Sequence, residues 1–253
     1  MKFYLGTHMV SQPWWDASVP LFVSRRRLAD RKTLPTAHAP WVLDSGGFTE
    51  LNLYHYWQTP STQYAQEVRR FADEIGQLAW VAPQDWMCEP FILAKTRATV
   101  REHQTRTVAS VVDLRIMLGE IVIPVLQGWT LDDYLRCIDL YTLAGFDLTK
   151  EPIVGIGSVC RRQNMTEAGH IFRRLHHELG DRLHGFGVKL TGLESYSDAL
   201  ASADSMAWSY RARRDWPLEG CTHKSCNNCL RYALRWRSQV CERLSQTRLE
   251  VAA

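Results

Sequence analysis

An α/β fold, a (β/α)8 TIM barrel over residues 1–216 followed by a zinc-binding segment and terminal helix over 217–253, is predicted by three observations. Short apolar or β-branched runs recur about eight times along the chain; each ends in Gly, Asp, Ser, Gln or His; and each is followed by a longer amphipathic stretch. Parallel strands alternating with helices produce this rhythm, and eight such units make a barrel. A length of 253 residues fits one large domain with a small appendage.

Taken in order, the strand candidates are Phe3–Gly6, Leu21–Ser24, Val42–Leu43 before Asp44, Leu78–Ala82, Ile121–Leu126, Ile153–Ile156, His184–Val188 before Lys189, and Ala203–Ser209. Between them lie helical periods. Ser61–Gly76 places Tyr64, Val68, Phe71 and Ile75 on one face. Phe91–Leu118 is long enough for two helices, Leu131–Gly145 opens on Thr130-Leu131-Asp132-Asp133 and closes on a glycine, and Thr166–Gly180 and Ser195–Ala203 complete the set. Beyond Pro217 come a cysteine cluster and one last helix with Tyr232, Trp236 and Val240 inward.

Bulk properties narrow the function. No apolar run approaches the ~18–20 residues a membrane span needs, and Met1–Gly6 reads as a first strand, without the apolar core of a signal peptide. Seven cysteines, three of them within 221–229, suit a metal site in a reducing compartment, the cytoplasm, better than a disulfide framework. The net charge of +3 is too small to announce a nucleic-acid partner by itself. Its distribution says more, because arginines crowd the segment after Asp204. Arg25-Arg26-Arg27 and Arg211, Arg213 and Arg214 are candidates for phosphate contact, with a solvated surface as the alternative.

In a barrel the C-terminal ends of the strands share one face. Asp44, Asp85, Gln127, the Gly155-Ile156-Gly157 segment, Lys189 and Asp204 would therefore meet there. Each has an ordinary alternative: Asp44 or Asp85 capping a helix, Gln127 bonded to backbone, Lys189 paired with an aspartate. Several buried carboxylates in one mouth are poor choices for stability, so chemistry is the simpler motive.

These residues resemble a known family. Asp44-Ser45-Gly46-Gly47-Phe48 is similar to the Asp-Ser-Gly-Gly-aromatic motif of the tRNA-guanine transglycosylases. In the same order, Gln84–Pro90 resembles their second aspartate motif, Leu126-Gln127-Gly128 their Gln-Gly segment, and Val154–Val159 their Gly-Gly-Leu-Ala-Val loop. Gly185–Val188 resembles their later Gly-rich strand, and Ala203-Asp204-Ser205 falls where they carry the nucleophile. The likeness covers roughly residues 40–235. The short chain, the Trp129 after Gln127-Gly128, the Ser205–Ser209 tail and the amino-terminal Leu5-Gly6-Thr7-His8 look more like the related DNA 7-deazaguanine transglycosylases of phages and bacterial modification clusters, the DpdA-like branch.

That resemblance implies exchange of guanine in DNA for free 7-cyano-7-deazaguanine or a relative. It would occur in the cytoplasm (a host's, if phage-encoded) and with accessory DNA-modification proteins as candidate partners. It implies Asp204 as nucleophile on C1′ and Asp44 as general acid/base, on the two-displacement logic of a retaining glycosidase. Ser45, Gly46, Asp85, Gln127, Gly155, Ile156 and Gly157 would bind the base, with Trp86, Trp129 and Trp208 as stacking candidates and His8 as a further contact. Rival readings are exchange on tRNA, a non-catalytic nucleic-acid-binding subunit on the same barrel, and a zinc-dependent barrel hydrolase.

Cys221-Thr222-His223-Lys224-Ser225-Cys226-Asn227-Asn228-Cys229 carries the strongest local signal. Cys226-x2-Cys229 is half a zinc knuckle, and Cys221 and His223 supply two further donors. The related enzymes hold a structural zinc with a histidine further on. No histidine follows Cys229 here, which leaves His223 as fourth ligand and Cys241 as its alternative.

Overall fold

The computed structural model describes residues 1–159, 166–188 and 190–252, with side chains to residue 246; Lys189 lies outside the described residues. The chain runs β1 (Lys2–Thr7), α1 (Gln12–Asp16), β2 (Leu21–Ser24), a 3-10 turn (Arg25–Arg27), β3 (Trp41–Asp44), α2 (Gly47–Tyr54), α3 (Ser61–Ile75), β4 (Leu78–Val81), α4 (Pro90–Thr96) and α5 (Val100–Leu118). It continues through β5 (Val125–Leu126), α6 (Leu131–Leu143), β6 (Val154–Ile156), α7 (Thr166–Leu179), β7 (Leu183–Gly185), α8 (Leu190–Tyr196), β8 (Ser202–Ser205), α9 (Ala207–Arg211) and α10 (Leu230–Ala252).

All eight strands belong to one sheet in the order β4-β3-β2-β1-β8-β7-β6-β5, and every neighbouring pair is parallel. The first and last strands therefore lie side by side in the middle, and the sheet curls. At its two outer strands a single parallel bridge joins Val81 to Val122, with the Ile123 N–H donating to the Val81 carbonyl at 3.1 Å. That is less than the continuous eight-strand pairing expected of a closed barrel. Pro124 is one physical reason: it has no N–H to give a ladder. The predicted strand Ile121–Leu126 accordingly shrinks to Val125–Leu126, after a 3-10 turn at Gly119–Ile121. Two other expectations change. Ser195–Ala203 is not a helix: α8 ends at Tyr196, a 3-10 turn spans Ser197–Ala199, and β8 begins at Ser202. The stretch Ala203–Ser209 is strand only to Ser205, after which α9 starts.

Side chains alternate across the sheet with the strand period of two. One face packs on helices: Leu5, Val23, Trp41, Leu43 and Leu126 join Tyr64, Val68, Phe71 and Ile75 of α3 in the large core. Full burial of each such aliphatic or aromatic group stabilises by roughly 1.5–3 kcal/mol. The inner face is a smaller cluster of Tyr4, Val42, Trp80, Ile123 and Val125, with Phe22 and Phe186 against it. These come from both halves of the sheet, so the curl brings early and late strands together. On α10, Tyr232, Trp236 and Val240 are buried, and the Trp236 ring lies 5.9 Å from that of Phe3 on β1. Among the described residues no helix is long and apolar enough to cross a membrane.

Candidate active site and metal centre

β3 sends Trp41 and Leu43 to the helices and Val42 and Asp44 to the inner face. The chain must then turn at once to start α2. Gly46 makes the turn at φ 85°, and a Cβ there would come within 2.8 Å of the Arg26 side chain, so both backbone and space demand glycine. The Gly46 N–H donates to Asp44 Oδ2 at 3.1 Å. Asp44 thus steadies the start of the helix, although Gly46 is its N-cap, while still facing the cavity that opens inside the sheet.

That cavity, of about 360 Å³, is lined by Asp44, Asp85, Gln127, Gly157 and Asp204, from the ends of different strands. Its apolar walls are Phe22, Phe48, Met87, Phe186 and Met206. A few convergent polar groups within apolar walls is the usual make-up of a small-molecule pocket. The polar groups are tied together. Gln127 Nε2 donates to Asp85 Oδ2 at 2.5 Å, and the Ser45 hydroxyl lies 3.3 Å from Asp85 Oδ1. On its other side Gln127 Oε1 is 2.7 Å from the Ser158 hydroxyl, which orients the amide. Gly157 makes room for this arrangement, since a Cβ would sit 2.2 Å from Gln127. Asp204, on β8, accepts the Gly187 N–H on Oδ1 at 2.9 Å and is 4 % exposed.

The electrostatics suit proton transfer. Burial raises Asp44 to about 6, the charge of Asp204 adds to this, and hydrogen bonds from Ser24 and Gly46 oppose it. Asp85 rises further, to about 7, again through burial first and then the charge of Asp44, against hydrogen bonds from Gln127 and Ser45. Two carboxyls thereby exchange protons near neutral pH, where general acid/base groups work best.

Other candidates stand elsewhere. Gly155 is covered by the Phe186 ring, 2.5 Å from where a Cβ would be, and Ile156 belongs to the helix-facing core. Trp208 is a packing residue: it is fully buried and donates its indole N–H to the Gly6 carbonyl at 2.8 Å. His8 stacks on Trp208 and bonds Asn228 at 2.7 Å, while Trp86 carries the Arg106 guanidinium over its ring at 4.4 Å. Arg25 and Arg26 do not offer free cations for phosphate: Arg25 pairs with Glu67 and Arg26 with Glu50 at 2.8 Å. Arg211, Arg213 and Arg214 are exposed. Sequence reasoning missed Ser24, Ser158, Phe22, Phe186 and Met206. The first strand-level clue to three of them was available, because Ser24 and Phe22 share the inner face of β2 and Met206 follows Asp204 by two.

In the carboxy-terminal segment the ligand atoms of Cys221, His223, Cys226 and Cys229 all lie within 4.8 Å of one another. Cys226 Sγ is 3.9 Å from Cys221 Sγ and 3.1 Å from His223 Nε2. Four donors on a tetrahedral ion with metal–sulfur bonds of about 2.3 Å stand roughly 3.8 Å apart, so the set fits one metal ion. Cys241 is not among them; it lies on α10 beside Met1, Lys2 and Phe3. The cluster is built onto the mouth of the sheet. Ser209 of α9 donates to the Asn227 carbonyl at 2.9 Å, and Ser225 to the Ala212 carbonyl at 2.9 Å.

No curated protein matches the chain significantly. The family model for DpdA, described as DeoxyPurine in DNA protein A, matches residues 1–252, and with nearly its whole length covered the chain belongs to that family, whose role is deoxypurine modification in DNA.

Proposed function

We propose that this protein is a base-exchange transglycosylase that replaces guanine in DNA with a 7-deazaguanine through a covalent intermediate on Asp204. The observation that carries the reading is the convergence of Asp44 and Asp204, from β3 and β8, on one apolar-walled cavity that also holds the Asp85–Gln127 pair. In the first displacement an Asp204 oxygen attacks C1′ and the C1′–N9 bond breaks with its electrons going to guanine, which takes a proton from Asp44. In the second, the ionised Asp44 takes the N9 proton of the entering base, N9 attacks C1′, and the Asp204 ester bond breaks. Asp44 ends protonated and Asp204 ionised, as they began. Phe22, Phe48, Phe186 and Met206 would sandwich the base, and Asp85 and Gln127 would bond its polar edge. A base within a duplex cannot reach this depth, so the reading requires it to be extruded or single-stranded.

The same reading assigns the four-donor cluster to a structural zinc held by Cys221, His223, Cys226 and Cys229, since four protein donors leave no open position. It takes residues 1–216 as the catalytic barrel, its closure completed near Val81 and Val122, with 217–253 packed on it, and it places the reaction in the cytoplasm. The test is incubation with guanine-containing DNA and labelled 7-cyano-7-deazaguanine, with tRNA in a parallel arm, followed by denaturing electrophoresis. Label should enter DNA, wild type should trap a protein–DNA adduct, and Asp204→Asn should lose both by roughly 10⁴-fold or more, as removal of a nucleophile does. Label in tRNA alone would overturn the substrate, and an adduct on Asp204→Asn the mechanism.

A further inference from the structure

His184 lies on β7 directly beneath the cavity and is absent from every motif discussed above. It is fully buried. Its ring packs edge-on against Trp80 and Phe186, each at 4.8 Å, and stacks on Phe22 at 5.9 Å. Packing alone would favour a phenylalanine in such surroundings. Instead the position holds an imidazole with two nitrogens to satisfy, at a cost if either is left alone.

The neighbouring strand bonds one of them and places a carboxylate before the other. β7 and β8 run in parallel register with His184 opposite Ser202, so the next inward residue of β8 is Asp204. His184 Nδ1 lies 2.8 Å from the Ser202 hydroxyl. Nε2 makes no hydrogen bond and faces Asp204 Oδ1 at 3.4 Å. When the Ser202 hydroxyl donates to Nδ1, the proton of a neutral imidazole sits on Nε2, the nitrogen on the side of Asp204. Oδ1 already accepts the Gly187 N–H.

We propose that His184 is a positioning residue for Asp204: with Gly187 it holds Oδ1, so that Oδ2 is turned to the cavity as the attacking oxygen. The inference rests on Asp204 being the nucleophile. Ser202 acts one step further back, its hydroxyl donating to Nδ1 when Nε2 carries the proton. The donor touches the carboxylate and not the base, so it governs the rate of attack and not the binding of the entering base.

The experiment is single-turnover formation of the covalent protein–DNA adduct by the full-length, metal-loaded protein, alongside the KM for 7-cyano-7-deazaguanine. His184→Phe keeps the ring and removes the donor; His184→Gln keeps an N–H donor; Ser202→Ala removes only the partner of Nδ1. His184→Phe is expected to slow adduct formation by about ten- to a hundredfold, the span in rate of a hydrogen bond to a charged group, with KM within about threefold of wild type. His184→Gln should recover at least about fivefold over His184→Phe, and Ser202→Ala should lose about three- to tenfold. Thermal unfolding reports whether each variant is folded. Adduct formation at the wild-type rate by folded His184→Phe, or equal losses in His184→Phe and His184→Gln, would overturn the inference. An Asp204→Asn protein that still trapped the adduct would instead overturn the nucleophile assignment beneath it.

Discussion

Two acidic clusters, each buried or half-buried, are handled in opposite ways in this fold. Glu50 and Glu67 meet Arg25 and Arg26 just after β2: Arg25 pairs with Glu67, lies 3.9 Å from Glu50, and Arg26 reaches Glu50 at 2.8 Å. Burial alone would raise Glu67, but hydrogen bonds from Arg25 and Gln63 and the charge of Arg25 outweigh it and hold the carboxyl below its ordinary value. Asp44 and Asp85, at and beyond the ends of β3 and β4, meet only neutral donors, Ser24, Gly46, Ser45 and Gln127, and both rise. A paired acid holds structure at any ordinary pH. An acid with neutral partners keeps a proton to give, at a cost in stability.

The largest test of that difference is Asp44→Asn. Loss of the proposed proton carrier should slow exchange by roughly 10²–10⁴-fold while the fold survives. The sign of the pH effect follows from its role. In the proposed reaction guanine departs only from a site with Asp44 protonated, so single-turnover adduct formation should fall as pH rises through about 6, with Asp85 near 7 broadening the limb because the two carboxyls titrate as a coupled pair. In Asp44→Asn the limb should flatten. A limb that survived there would assign the proton to another group.

Arg25→Met probes the other cluster. It leaves Glu67 and Glu50 partly buried without their shared cation and should lower stability by about 3 kcal/mol, read from urea denaturation. Exchange per folded molecule should change only a few-fold. A variant of normal stability that had lost exchange would place Arg25 with the substrate and dissolve the contrast.

The contrast also explains what could be read from the chain beforehand. Strand ends carrying Asp44, Asp85, Gln127 and Asp204 were legible because the signal is local: an apolar run that ends in a polar residue, with glycine close behind at Asp44 and Gln127. The face of α3 was legible for the same reason, as a helical period. The partners were not. Nothing near Arg25 or Arg26 announces Glu67 or Glu50, dozens of residues on, so three consecutive arginines read as a phosphate patch. Trp208 looked available for stacking because its acceptor, the Gly6 carbonyl, lies 202 residues away. Gly155 and Ile156 were placed with the base because the motif is contiguous, but the strand period turns Ile156 outward and Phe186 covers Gly155. Period-two reading of β7 and β8 together would have put His184, Ser202 and Asp204 on one face, yet it requires knowing that those strands are neighbours.

The smallest effect expected is also the most discriminating, because it is a gain. Asp85 binds its proton near 7 in the folded protein and near 3.8 when free, so between those values the folded state holds more protons than the unfolded one. Stability contributed by this group is therefore highest at or below pH 4 and declines as pH rises to about 7. Asn in its place carries no such cost. Asp85→Asn should be more stable than wild type by about 1–2 kcal/mol at pH 8, less than the full shift implies because the cavity admits water, and the gain should vanish near pH 4. It should also weaken binding of the entering base by about tenfold, since one acceptor for its polar edge is gone. Thermal unfolding at the two pH values decides it: a stability difference that does not grow with pH would mean that Asp85 is ionised at no cost, and that the neutral surroundings of the pocket do not set it apart from the paired acids beside it.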